Sequence, residues 1–572
     1  MAKTLVRRIL LPFALLILFY TAFRNTPVVL QPSAQYPKHL GKHQEPLHVP
    51  ISRPFVNTSR TWDHWAAVDG FPSNVESKPM ELEISNQDSE TAGVPAPVIL
   101  PVSHNSQRSI PQALLGQLEC PRAPNRFTSH IRLPNLLYNI SMSPRSAVLR
   151  EERTFWNPTI FALPYWAKNQ YIIVSMVTPD GGALRRNVLC EANICHPKSA
   201  ASTLTHERSC SEDDLGLLGP SGGLRCMTAP IEVTVPPTPA AKCEGREQVF
   251  ADIPGFHDPR VFYTGRGEPI LMISSQSQYA CIGLWVIDLR AVYPELEGTL
   301  ASSPKRLGPG PVMSYPTLTE LTRNPPSSRR SYEKNWVMFS PSSSSSYLQY
   351  DLTSSSRTIA QLIGGGLTTP NMTDPLEEPC LRDLTMEEIA GSHYNENSTW
   401  HQATPSLKLV LCSRSNSTCN PETADTVFFA IIHRKNVNAL GLPVRYERFV
   451  VVWSAAPPFN MLAISRHPIL MANETTFSWT AEESWDDVPE ALLENRELWG
   501  RITYTTTIAY AWGREEKDFR EKGTGHLDDE VILSIGVDDE GQVYTKVKVS
   551  ELLQCLRVCP GREQVNLDES ED

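Results

Sequence analysis

From about Cys120 onward, short apolar runs alternate with polar, turn-forming stretches. The runs are rich in β-branched and aromatic residues: Tyr171–Val177, Pro269–Ile273, Leu284–Ile287, Leu409–Cys412, Thr426–Ile432, Phe449–Trp453, Thr505–Ala511 and Val531–Ile535. Each has the length of a strand, and Gly265–Gly267 and Gly308–Gly310 punctuate them as turns. Long amphipathic helices are scarce, Glu490–Leu498 being the best short candidate. The pattern predicts an all-β domain too long for a simple sandwich. A β-propeller adds sheets without exposing their edges, so it is the expected architecture for residues 120–572. Ser342–Ser346 and Ser354–Ser356 read as surface loops.

Upstream the pattern is lost. Residues 24–119 are rich in Pro, Ser, Asn and charge, cannot bury enough apolar surface to fold alone, and read as a stem. Trp62 and Trp65 are its hints of local order. Before it stands an uncharged run, Ile9–Phe23, with Lys3, Arg7 and Arg8 ahead and Arg24 behind. This asymmetry predicts a cytosolic tail over residues 1–8, a signal-anchor helix over 9–23 and a lumenal remainder. The run is shorter than the roughly 20 residues of an average span, which suits the thinner Golgi or endoplasmic reticulum membrane. A cleaved signal peptide is the competing reading, but Thr21-Ala22-Phe23-Arg24 fits a cleavage site poorly.

Composition agrees with a lumenal location. Six Asn-X-Ser/Thr sequons occur, at Asn57, Asn139, Asn371, Asn397, Asn416 and Asn473. The twelve cysteines are even in number and lie mostly in polar sequence, five of them between Cys190 and Cys243. Zinc is the rival, since Cys190–Cys195 and Cys555–Cys559 resemble ligand spacings. With no C-x-x-C and an oxidising compartment, disulfides are expected and no metal site is. Their connectivity is not legible. The net charge is −11 without a long basic stripe, so nothing points to nucleic acid.

Five polar clusters stand beside predicted strands. Trp156-Asn157-Pro158 offers an amide in what is most often a simple strand-opening turn. His257-Asp258-Pro259-Arg260 sets an acid and a guanidinium two residues apart, either an inward-facing polar pair or a structural ion pair. Lys334-Asn335-Trp336 brings hydrogen-bonding groups beside an aromatic that is either a stacking face or core. His433-Arg434-Lys435 ends a strand in three basic groups, read either as surface charge or as a phosphate grip. Gly525-His526-Leu527-Asp528-Asp529-Glu530 carries paired carboxylates, which hold sugar hydroxyls, a metal or only a turn.

Their order resembles that of the β-propeller mannoside phosphorylases and their mannosyltransferase relatives, the fungal β-1,2-mannosyltransferases above all. Those proteins carry an N-P turn, matched by Asn157-Pro158, then a D-P-R motif, matched by Asp258-Pro259-Arg260. A K-D or K-N step follows, matched by Lys334-Asn335, then a strand-ending His, matched by His433. A segment with paired prolines and a closing P-I-L (Phe449–Leu470) and an acidic final motif (Gly525–Glu530) complete the match, over about Cys120 to Cys559. The resemblance implies a five-bladed propeller acting on mannosides. It departs at Asn335, where the phosphorylases have an acid that relays a proton to the departing sugar. A sugar alkoxide needs that proton, whereas a nucleotide diphosphate leaves once its charge is stabilised.

The resulting expectation is a type II membrane glycosyltransferase of the Golgi or endoplasmic reticulum, moving mannose from GDP-mannose to a mannose-containing glycan acceptor. Asp258 is the expected central catalytic residue, either polarising the acceptor or holding the transferred sugar. Asn157, Arg260, Asp528 and Asp529 are expected to line the sugar pocket, Lys334, His433, Arg434 and Lys435 to face the diphosphate, and Asn335 to bind substrate. The alternatives are a mannoside phosphorylase or glycoside hydrolase of the same fold, and a non-catalytic glycan-binding propeller.

Overall fold

The computed structural model describes residues 110–124, 130–143, 154–178, 184–197, 208–238, 242–251, 255–302, 312–353, 357–375, 380–381, 399–436, 444–475, 501–512 and 524–560. All of them lie in the second of the two units into which the chain divides, Met1–Leu47 and His48–Asp572. The expected tail, anchor and most of the stem lie outside the described residues, as do Asn57, Asn397 and the candidate helix Glu490–Leu498.

Among the described residues the strands follow one another as antiparallel meanders. Meander I comprises Phe155–Ala162, Tyr171–Val177, Arg186–His196 and Gly223–Cys226. Meander II comprises His257–Tyr263, Pro269–Gln276, Ile282–Asp288 and Thr319–Leu321. Meander III comprises Val337–Ser342, Ser345–Leu352, Arg357–Gly364 and Leu367–Thr368. Meander IV opens with Thr399–Gln402 and Leu407–Val410, both paired with Thr426–Asn436, and continues through Arg445–Ser454 and Met461–Ser465. Meander V comprises Thr503–Tyr510, Glu530–Val537 and Gly541–Lys548. Its outer strand comes from far upstream, Tyr138–Ser141, with Tyr138 opposite Tyr544. The domain is all-β and β-propeller-like, as expected.

The apolar runs are continuous because both faces of these sheets are covered. Successive side chains of a strand point to opposite faces, and here each face meets a different neighbour. Ile160 packs with Ile532 and Tyr544 of meander V, while the next residue, Phe161, packs with Val261 and Leu271 of meander II. Val261 and Phe262 divide likewise between meanders I and III, and Met338 and Phe339 between II and IV. Phe428 turns to meander III and Phe429 to meander V. The core is thus a series of clusters between consecutive meanders, the last joining V back to I.

The packed domain begins earlier than residue 120. Leu114 is fully buried against meanders IV and V, and the Leu556 and Cys555 amides donate to the Gln117 and Glu119 carbonyls. The stretch 110–119, assigned to the stem on composition, therefore belongs to the domain. All twelve cysteines are paired, as 120–555, 190–226, 195–210, 243–281, 380–559 and 412–419. The zinc-like spacings Cys190–Cys195 and Cys555–Cys559 are each split between different disulfides.

Candidate functional site

The opening strands of the meanders bring one kind of residue to one end of the domain. Asn157, Asp258 and Asn335 have φ of 48°, 48° and 60°. They lie at or just before the start of the inner strands of meanders I, II and III. Asn and Asp are the non-glycine residues that enter this left-handed region most readily. In meanders I and II the pairing register also shifts at this point, so a bulge turns the side chain out of the ladder. The motifs N-P, D-P-R and K-N thus mark one repeated backbone device.

These side chains meet. Asn157 Nδ2 donates to Asp258 Oδ1 at 3.0 Å, and Lys334 Nζ lies 3.1 Å from Asp258 Oδ2. Burial opposes charge on Asp258, but Lys334 and then Arg260 outweigh it and hold the carboxyl well below the usual range. Asp258 in turn raises Lys334 well above an ordinary lysine. The pair is therefore ionised at neutral pH, and the Lys334 side chain is 41% exposed. Arg260 was expected to line a sugar pocket. It donates instead to backbone carbonyls of Ala403, Asp258 and Pro259 at 3.1 Å, which fixes the loop bearing Asp258.

Meander IV contributes the next face. Asn335 Nδ2 stands 3.3 Å from His401 Nδ1, whose Nε2 is 3.0 Å from Thr399 Oγ1. Burial first, then Lys435 and Lys334, lower His401 to about 4, so it is neutral. His401 is the register partner of His433, and Lys435 that of Thr399 and Tyr446. His433 is buried, accepts at Nε2 from the Thr505 amide at 3.4 Å and sits edge-on to Tyr504. Burial and then Arg448 depress it well below an ordinary histidine. Tyr446 and Tyr504 cross edge to face at 5.1 Å, and Tyr504 Oη donates to the Gln402 carbonyl. Lys435 has no carboxylate within ion-pair distance among the described residues, and its Nζ lies 5.9 Å from the Tyr446 ring centre.

Three predicted site residues are corrected. Arg434 cannot act with His433 and Lys435, because consecutive residues of a strand face opposite sides. Its guanidinium is fully buried and bonds Glu447 Oε2 at 2.8 and 2.6 Å. Asp528 and Asp529 organise a turn: Asp528 accepts from the Arg414 and Ser415 amides, and Asp529 pairs with the Arg414 side chain. They precede the strand Glu530–Val537, whose other end reaches Asn157. Gly536 is seven residue steps beyond Asp529, about 23 Å of extended chain.

Other residues at the mouth carried no local signal. His401 and Tyr446 reach it through register, and Tyr504 opens meander V. Asp539 sits at the tip of the hairpin between Glu530–Val537 and Gly541–Lys548. Burial and then Asp258 raise its carboxyl, against Lys334 and Arg185.

No protein-family model and no curated protein sequence matches the chain. Solved structures similar to it include a candidate glycoside hydrolase from Parabacteroides distasonis, at 11% identity over 75% of this chain and 97% of that one, TM-score 0.35. The β-1,2-mannobiose phosphorylase of Listeria innocua is 10% identical over 71% and 94%, TM-score 0.31. A protein of the GH130 family of mannoside phosphorylases, described with glycoside hydrolases that target β-1,2 mannosidic linkages in Candida mannan, is 9% identical over 73% and 94%, TM-score 0.34.

Proposed function

We propose that the domain is a five-bladed β-propeller and a carbohydrate-active enzyme that cleaves a mannoside, by hydrolysis or phosphorolysis. The observation that carries this reading is the Asn157–Asp258–Lys334 chain at the mouth where the inner strands begin. An ionised carboxylate flanked by an amide, an exposed ammonium and tyrosine rings matches the hydroxyls and apolar face of a sugar. The mannoside preference rests on the motif resemblance alone.

Two observations move the reading from transfer toward cleavage. Arg434 is locked to Glu447, and both histidines are neutral, so the basic cluster expected to grip a diphosphate is reduced. A carboxyl, Asp539, is carried toward the same mouth by the hairpin whose Gly536 packs on Asn157. Transfer from GDP-mannose to a glycan acceptor is the second reading, favoured by Lys435, a cation without an acidic partner among the described residues. Six disulfides support a lumenal or extracellular setting, and we keep the type II Golgi or endoplasmic reticulum topology as part of the proposal.

The test incubates the purified chain with mannobioses in water or in inorganic phosphate, and with GDP-mannose plus mannoside acceptors. Release of mannose or mannose 1-phosphate supports cleavage. Elongated acceptor from GDP-mannose alone overturns it in favour of transfer, and sugar binding without turnover in any arm makes the domain a glycan-binding module.

A further inference from the structure

Cleaving a glycoside expels a sugar alkoxide, which must be protonated as it leaves. Asn335 is an amide and has no such proton to give. Asp258 is bound to Lys334 and Asn157 in its ionised form. The proton must come from another group at this mouth.

We propose that Asp539 is the general acid that protonates the departing sugar oxygen. The inference rests on the cleavage reading above. Asp538 and Asp539, both at φ 53°, are the first two of the three residues that turn the hairpin between paired Val537 and Gly541, and the Glu540 amide closes on the Val537 carbonyl at 3.0 Å. The two carboxyls are treated differently. Asp538 Oδ1 accepts from the Ile502 amide at 2.8 Å, and its own amide donates to the Ile502 carbonyl. Those bonds anchor the turn to the first strand of meander V and leave Asp539 as the exposed member. Asp539 has no ion pair among the described residues.

The turn is seated at the mouth by close packing. Three residues before Asp539, Gly536 lies against Asn157, so closely that a Cβ there would meet Asn157 Oδ1 at 2.4 Å. Asn157 is itself bonded to Asp258, so the hairpin is carried to the Asp258–Lys334 pair by direct contact. Asp539 feels the charges of Asp258 and Lys334, and Tyr446 on the facing meander feels Asp539. Partial burial of its carboxyl and then the Asp258 charge, against Lys334 and Arg185, shift it toward the protonated form, the form an acid needs. One carboxylate held ionised and another shifted toward its protonated form is the division of labour by which glycosides are cleaved.

The step balances. The Asp539 proton passes to the glycosidic oxygen as that oxygen leaves the anomeric carbon with the bonding pair. The anomeric carbon takes an oxygen lone pair from water or dihydrogen phosphate, and the proton shed by that nucleophile returns through solvent to the Asp539 carboxylate.

The test compares the intact chain with Asp539→Asn on mannobiose and on 2,4-dinitrophenyl mannosides of both anomers, whose leaving group needs no proton. Asn is favoured at such turn positions, so the fold should be kept. The expected result is a fall in kcat/KM on mannobiose of about 10²–10⁴-fold, a change of only a few-fold on the activated substrate, and loss of the alkaline limb of the pH profile. Asp538→Ala, which removes the acceptor for the Ile502 amide, should lower Tm without changing the ratio between the two substrates. Equal losses on both substrates, or none on mannobiose, overturn the role of Asp539 alone. If the unaltered chain cleaves neither substrate, the cleavage reading falls and this role with it.

Discussion

Lys334 Nζ and Asp258 Oδ2 are 3.1 Å apart, with the lysine side chain 41% and the aspartate 17% exposed. The pair joins the start of meander II to the chain leading into meander III. It also sets the charge state of the site, since burial opposes charge on Asp258 and Lys334 is the main group that keeps its carboxyl ionised. Lys334→Met should therefore raise the Asp258 carboxyl toward and beyond the ordinary range. The acid limb of the pH–rate profile should move to higher pH by at least one unit, roughly 1.4 kcal/mol of lost charge stabilisation. Asp258→Asn should abolish turnover with Tm nearly unchanged. An unmoved acid limb in Lys334→Met would remove Asp258 from the list of groups that titrate in catalysis.

Arg434 and Lys435 are adjacent in sequence and opposite in role. Arg434 is enclosed with Glu447, which burial disfavours but Arg434 and Arg445 hold at about 2. Arg434→Met should leave a buried carboxylate with only Arg445, 3.0 Å away, as partner. The expected loss is about 3 kcal/mol in urea unfolding, the low end for a broken buried pair. Because the folded carboxyl is depressed from 4.5, the pair's stabilisation is complete above that pH and lost as pH falls toward 2. Lys435→Met should leave stability unchanged and raise the apparent KM for phosphate, or for GDP-mannose if the second reading holds. A stable Arg434→Met with weakened anion binding would restore the three-residue basic grip.

The strands were legible in the sequence because both faces of each sheet are buried, so apolar residues came in runs rather than alternation. Asn157, Asp258 and Asn335 were legible because a left-handed turn at a strand opening admits few residue types. The rest of the mouth was not. His401, Tyr446 and Asp539 are brought there by register and closure between segments far apart in the chain, and no local motif records that. Arg434 was misplaced because a run of basic letters hides the alternation of a strand. Asp528 and Asp529 looked like ligands because an acid pair is written the same way whether it binds a sugar or caps a turn. Leu114 was assigned to the stem because the Pro- and Gln-rich letters around it conceal a helix of four residues, Gln112–Leu115, held against the core beside the Cys120–Cys555 disulfide.

The described sequons divide in two. Asn371 and Asn416 are exposed, and each side-chain oxygen accepts from the amide of the Thr two residues on. Asn473 instead brackets the Leu137 backbone with both amide atoms, and Asn139 Nδ2 donates to the Leu218 carbonyl. A glycan on either of the latter would have to leave through packed chain. Expressed by a secretory route, the protein should carry glycans at Asn371 and Asn416 and little at Asn139 and Asn473. Site mapping by mass spectrometry after enzymatic deglycosylation checks this, and full occupancy at Asn473 would contradict the packing of Leu137.

Mild acid should weaken the fold before its carboxylates do. His401 is lowered to about 4 by burial, Lys435 and Lys334, and His433 is depressed further by burial and Arg448. A histidine with a depressed folded pKa is neutral when folded, while the unfolded chain takes up its proton near pH 6.5. Between those values the unfolded state binds more protons, so stability falls as pH drops from about 6.5 toward 4. The carboxylates give the opposite window: Glu447 and Glu474 are depressed in the folded state, and their contribution is intact above about pH 4.5. Urea unfolding between pH 7 and 5 should therefore show a loss that belongs to the histidines. His401→Asn should flatten the upper part of that dependence, since the amide still reaches Asn335 but takes up no proton. His433→Asn should flatten it further at a cost in stability, because His433 is enclosed between Thr505 and Tyr504. An unfolding free energy independent of pH over this range would place both imidazoles in solvent and dissolve the contact between meanders IV and V on which the mouth depends.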